Sequence, residues 1–240
     1  MAAQDFSIQI ALEGDAAQTL TQNGFHLYAC QAQDTNILGW PTIWYATDAL
    51  TPMMTLGWPA SGAAYTALQT NVAPPQTANS TASYTMMPGQ TLKITSTSGT
   101  GSVSNEGPAD CITIANLTTS QFTCGPARGA NAGPSSPCCA LQLFGGNDIL
   151  VRPRNMILLA LESGTRTMGQ TVATLSAPSL LVSLDSATSR SVTYSLNTNW
   201  AANTESWATQ YPAGTNLCDL LVSAVVTPLI EQSVPFDPWF

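Results

Sequence analysis

Acid–base and nucleophilic catalysis draw on His, Lys, Cys or paired carboxylates, and this chain offers few of them. His26 is the only histidine and Lys93 the only lysine. His26 alternates with Phe25, Leu27 and Ala29, which marks it as a strand residue. A Ser-His-Asp triad would have to recruit His26, and no Gly-x-Ser-x-Gly elbow supplies a serine. Four carboxylates, Asp110, Asp148, Glu162 and Asp185, could form a glycosidase-like pair only by converging in space. The Gly-rich run 96–102 lacks the lysine of a phosphate loop, and Asn147-Asp148 lacks the spacing of a calcium loop. The expectation is therefore no catalytic residue, no metal, no cofactor and no enzymatic activity.

The six cysteines, Cys30, Cys111, Cys124, Cys138, Cys139 and Cys218, contain no Cys-x-x-Cys spacing. Thirteen residues, Gly125 to Pro137, separate Cys124 from the Cys138-Cys139 pair. They read as a long end loop whose only ionisable side chain is Arg128. A Cys124–Cys138 disulfide would close a loop of about 15 residues and stabilise by roughly 3 kcal/mol. On a strand, Cys139 would then point the other way.

Aromatic residues are the group with functional promise. Trp40, Trp44, Tyr45, Trp58 and Tyr65 form one set, and Trp200, Trp207 and Tyr211 a second. An exposed ring flanked by amides suits a sugar, because the ring is large and rigid while amides fix orientation. The candidate ligand-binding residues are Trp40, Trp44, Trp58, Trp200, Trp207 and Tyr211. The competing role for each is core filling.

Composition narrows the partners. Only 8% of residues are charged and the net charge is −8, so the surface must be built from Ser, Thr, Asn, Gln, Ala and Gly. Phosphate binding needs clustered cations, which argues against nucleic acid. Arg152 and Arg154, the one local basic spot, share a strand face and are expected to pair with carboxylates. The longest apolar run, Met156 to Leu161, is far too short to cross a bilayer. The N-terminal residues show no basic leader or apolar signal region. A disulfide would favour a secreted or cell-surface protein, with the cytosol as the alternative. Asn79 and Asn116 head two glycosylation sequons.

The elements that must position these residues are short strands. Phe6, Ile8, Ile10 and Leu12 alternate with polar or small residues. Asn23-Gly24, Pro88-Gly89 and Gly145-Gly146 punctuate the chain. No convincing amphipathic helix is visible; the C-terminal segment is ambiguous, since Leu217, Leu220, Leu221 and Val225 fit helical spacing while Leu221 to Val226 suits a strand, the preferred reading. The prediction is an all-β fold, an antiparallel two-sheet sandwich of jelly-roll or Ig-like type with few or no helices. It is expected to be a single domain, 1–240, with a split near 125–137 as the alternative.

The leading expectation is a non-catalytic β-sandwich protein that recognises a neutral ligand, with a glycan first. The second is a self-associating structural, coat or inclusion protein, a homo-oligomer joined through the aromatic tail Pro235 to Phe240. The third is a membrane-active β protein with Trp anchors.

Overall fold

The computed structural model describes residues 5–201 and 205–226. In chain order the elements are β1 (Phe6–Leu12), α1 (Ala16–Gln22), β2 (Phe25–Thr35), β3 (Gly39–Pro41), β4 (Tyr45–Thr47), β5 (Met53–Trp58) and β6 (Gly62–Ala67). Next come β7 (Ala82–Met86), β8 (Thr91–Ile94), β9 (Gly101–Ser104), β10 (Ile112–Asn116), β11 (Phe122–Gly129), β12 (Ser135–Pro137), β13 (Cys139–Leu143) and β14 (Asp148–Ser163). The last are β15 (Ser179–Ser183), β16 (Ser189–Ser195), β17 (Asn199–Ala201), β18 (Ala208–Tyr211), α2 (Leu217–Leu221) and β19 (Val222–Ala224). The expected all-β sandwich architecture is observed.

The strands form three sheets. The first runs β17-β16-β1-β5. The central sheet has nine strands around β14, which pairs with β2 along one edge and with β10 and β15 along the other. The third runs β3-β13-β11-β6-β7, with β12 folded onto β11. Most pairs are antiparallel, but β1–β16, β8–β10 and β2–β19 are parallel.

The long strand β14 explains how one face serves two cores. Ile157, Leu159 and Leu161 pack with β1, β5 and β16 of the first sheet, through Ile8, Ile10, Leu56 and Val192. Ile149 and Val151, on the same face, pack with Phe122, Cys124 and Leu141 of the third sheet. A break in the β2–β14 register between Pro153 and Ile157 separates the two halves. The opposite face carries Leu158 and Ala160, covered by Leu217 and Leu221 of α2.

Several expectations are corrected. Residues 125–137 are not an end loop: most of them form β11 and β12, paired as a hairpin inside the third sheet. The six cysteines are all free. The Cys124–Cys138 disulfide is absent because Cys138 packs in the first core, whereas Cys124 lies in the second with Cys139. The described residues include two short helices, within the few expected. Ala16, Ala17 and Leu20 of α1 pack onto the first core. Residues 217–221, at the head of the ambiguous C-terminal segment, are helical, and the strand there is only Val222–Ala224. Asn116, which heads one sequon, is buried, its amide occupied by Ser120 and Thr118. Among the described residues no helix is long and apolar enough to cross a membrane. The tail 235–240 lies outside the described residues.

Candidate functional site

Three of the six candidate ligand-binding aromatics are core residues. Trp44, Trp58 and Trp200 are fully buried. Trp44 meets Trp58 edge-on with ring centroids 5.5 Å apart, and Phe6 stacks on Trp58 at 5.9 Å. Trp200 meets Tyr194 edge-on at 5.2 Å. Large rings fill the space where the first and central sheets curl together, so none of these three offers a face to a ligand. Trp207 is half-buried, but its ring carries the Arg190 guanidinium at 4.8 Å and its indole N–H donates to Glu205 at 3.0 Å. Tyr211 packs against the cluster that Leu158 and Ala160 form with Leu217 and Leu221 of α2.

Trp40 is different, and strand register explains why. β3 is the edge of the third sheet, where Trp40 lies opposite Ala140, and Thr123 opposite Gln142. Alternation turns Leu141 into the core and leaves Ala140 and Gln142 on the outer face. Gly39, opposite Leu141, is required for this approach: an added Cβ would overlap the Leu141 side chain. Trp40 therefore stands beside Ala140, Gln142 and Thr123 on the outside of the sheet.

Two further segments wall this surface into a cleft of about 260 Å³. One is Asn71-Val72, pinned because Gln142 and Gln121 both donate to the Thr70 carbonyl, at 2.9 and 2.7 Å. The other is the first turn of α2, which brings Cys218 and Asp219. Asn216 caps that helix, accepting from the Cys218 N–H at 3.0 Å and donating to the Asp219 carboxylate at 2.7 Å.

The cleft holds polar capacity not consumed by the fold. Among the described residues, neither the Trp40 indole N–H nor the Asn71 side chain has a hydrogen-bond partner, and the buried Thr123 hydroxyl also lacks one. Gln142 spends its N–H on Thr70, leaving its oxygen to accept. Burial, then the Asp219 charge, pushes the Cys218 thiol pKa up, so this sulfur stays protonated near neutral pH. The cleft can therefore stack a ring and exchange hydrogen bonds.

The other singled-out groups do not converge. The His26 ring stacks on Tyr28 at 5.8 Å. Asp110 accepts from Arg152 at 2.7 Å, Arg154 lies 3.7 Å from Asp34, and Asp185 accepts from Ser183 at 2.9 Å. These ion pairs are the ones expected for Arg152 and Arg154. Glu162 holds Arg166 at 2.7 Å and accepts the Ser176 N–H at 2.9 Å. Among the described residues, no three His, Cys, Asp or Glu side chains are grouped to hold a metal.

Asn71, Thr123, Gln142 and Asp219 were not among the sequence candidates. One signal pointed at Gln142: a lone amide at an alternating position of the apolar run 139–144 must face outward. Comparison with known protein families, curated proteins and solved structures gives no match.

Proposed function

We propose that this chain is a non-catalytic binding protein for a neutral polar ligand, with a carbohydrate as the favoured class, held in the Trp40 cleft. The observation that carries this reading is one accessible indole beside an unpartnered Asn71 amide, the Gln142 oxygen and Asp219. An apolar ring face with amides and a carboxylate at its margin matches the alternating C–H faces and hydroxyl rims of a sugar. The sparsely charged, hydroxyl-rich surface supports the same class.

A glycan array followed by calorimetric titration tests it. The expected result is saturable binding lost in Trp40→Ala and retained in Trp207→Ala. Absence of binding to any glycan, or full affinity in folded Trp40→Ala, refutes the reading.

Self-association as a coat or inclusion protein is the second reading, favoured by an apolar rim next to the cleft. Leu38 is 78% exposed and Phe144 52%, and both line a neighbouring hollow with Ile37 and Leu143. Sedimentation of Leu38→Asp against the parent chain tests it: an oligomer that dissociates supports it, and a parent monomer at every concentration removes it. The membrane-active reading has less support, because Trp44, Trp58 and Trp200 are in the core.

A further inference from the structure

The seam between the two cores contains a second cavity, of about 210 Å³, on the other side of the third sheet from the Trp40 cleft. Its origin lies in the register. Leu27 and Ala29 of β2 face the first core, and strict alternation carries Gln31 and Gln33 onto the same face. Pro153 and Asn155 of β14 follow the parity of Ile149, Val151 and Ile157 at the register break. Arg128 of β11 follows the parity of Phe122 and Cys124 and projects from the third sheet toward them. Polar side chains thus occupy the one part of the shared face that neither core covers.

Arg128 and Gln33 are buried with polar atoms left unpartnered, whereas Gln31 donates to the Arg154 carbonyl at 3.4 Å. Arg128 is 7% exposed and Gln33 1%. Arg128 Nη1 and both polar atoms of the Gln33 amide have no hydrogen-bond partner, and neither does the buried Ser136 hydroxyl, opposite Arg128 in the hairpin. No carboxylate among the described residues pairs with Arg128. Asp110, on the cavity rim, is engaged by Arg152. Burial lowers the Arg128 pKa, yet a guanidinium keeps its proton at neutral pH. An uncompensated buried charge is strongly destabilising, and a fold retains one only where something satisfies it. The Trp44 indole donates to the Arg128 carbonyl at 2.9 Å, which fixes the backbone there, and the guanidinium lies beside Gly62.

We propose that this cavity is a binding site for a small organic monocarboxylate, with the carboxylate on the Arg128 guanidinium and the Gln33 amide beside it. One cation matches one negative charge, and the fork of a guanidinium matches the two oxygens of a carboxylate. Phe6, Met86, Ile112 and Pro153 supply an apolar wall for the body of the ligand, which an inorganic anion would leave unused. The site is independent of the Trp40 cleft and of the reading proposed for it.

The test uses the full chain with benzoate, butyrate, phosphate and sulfate at matched ionic strength, by calorimetric titration and thermal melts. The expected result is one-to-one binding of benzoate or butyrate that raises Tm. Affinity should fall at least about tenfold in Arg128→Met, the loss of a charge-assisted hydrogen bond. Gln33→Leu leaves the charge in place and should weaken binding about threefold or more, which keeps the test available if Arg128→Met does not fold. Phosphate or sulfate binding in place of both carboxylates overturns the ligand class. No binding by any probe, the result for a cavity that holds only water, overturns the site, as does wild-type affinity in the folded variants.

Discussion

Cys138 and Cys139 are neighbours in sequence but belong to different cores. Cys138 packs under the first sheet, and Cys139 lies with Cys124 between the central and third sheets. The break between β12 and β13 falls on Cys138, so the chain turns from one core to the other within a single peptide unit. Iodoacetamide should therefore modify half-buried Cys218 first under native conditions and leave Cys30, Cys111, Cys124, Cys138 and Cys139 protected. After denaturation all six should react without reductant. A mass count that reaches six only after reduction would contradict free thiols.

Alkaline pH should destabilise the fold. Burial pushes the Cys30 and Cys138 thiols up to about 12 and Cys111 to about 11. Burial likewise raises Tyr65. A group whose folded pKa exceeds its unfolded value holds its proton more tightly when native. That stability is whole below the unfolded thiol value of about 8.5 and is lost as pH rises toward the folded values. The urea midpoint should be level to about pH 8 and then fall toward pH 11, less steeply in Cys30→Ala. A level midpoint across that window would contradict the burial.

Trp44→Phe keeps most of the ring but removes the indole N–H that reaches the Arg128 carbonyl. The carbonyl then loses its side-chain donor and keeps only the Ser136 N–H of the β11–β12 ladder. The cost should be about 0.5–1.5 kcal/mol by chemical denaturation. Trp207→Phe, at a half-exposed ring, should cost much less, and equal losses would show that Trp44 acts through bulk alone.

Gly125→Ala tests how closely β11 and β13 approach. An added Cβ would overlap the Cys139 carbonyl oxygen, which also accepts from the Tyr65 hydroxyl at 3.0 Å. Both neighbours are buried and cannot move aside. The expected loss is about 1–3 kcal/mol, read from urea unfolding. A neutral result would mean that β11 and β13 can part there without penalty.

Strand alternation made much of this fold readable. Phe6, Ile8, Ile10 and Leu12 form the expected strand, with Ile8, Ile10 and Leu12 in the core, and Arg152 and Arg154 face the expected carboxylates. What could not be read was pairing over long distances. Nothing local to Ser7 points to Ser189, its parallel neighbour. Seven-residue α1 escaped because it shows one buried turn, Ala16, Ala17 and Leu20, in a Thr- and Gln-rich run. The Gly125 to Pro137 segment resembled a loop because Gly and Pro are poor strand formers, but the chain bends there between two cores. Trp density identified the aromatic clusters without distinguishing core from cleft. That distinction depends on Trp40 lying at a sheet edge, which only the assembled third sheet defines.

The register of the first strand has a consequence for how the protein is made. Ile10 lies between Met54 on one side and Val192 on the other. The first neighbour leaves the ribosome soon after β1, but the second follows about 180 residues later, roughly 10–40 s at ordinary rates of synthesis. Through that interval β1 presents an unsatisfied backbone edge, a template on which nascent chains can join one another. A product terminated before Ser189 would carry that open edge permanently, so interrupted translation should yield aggregates and not soluble fragments.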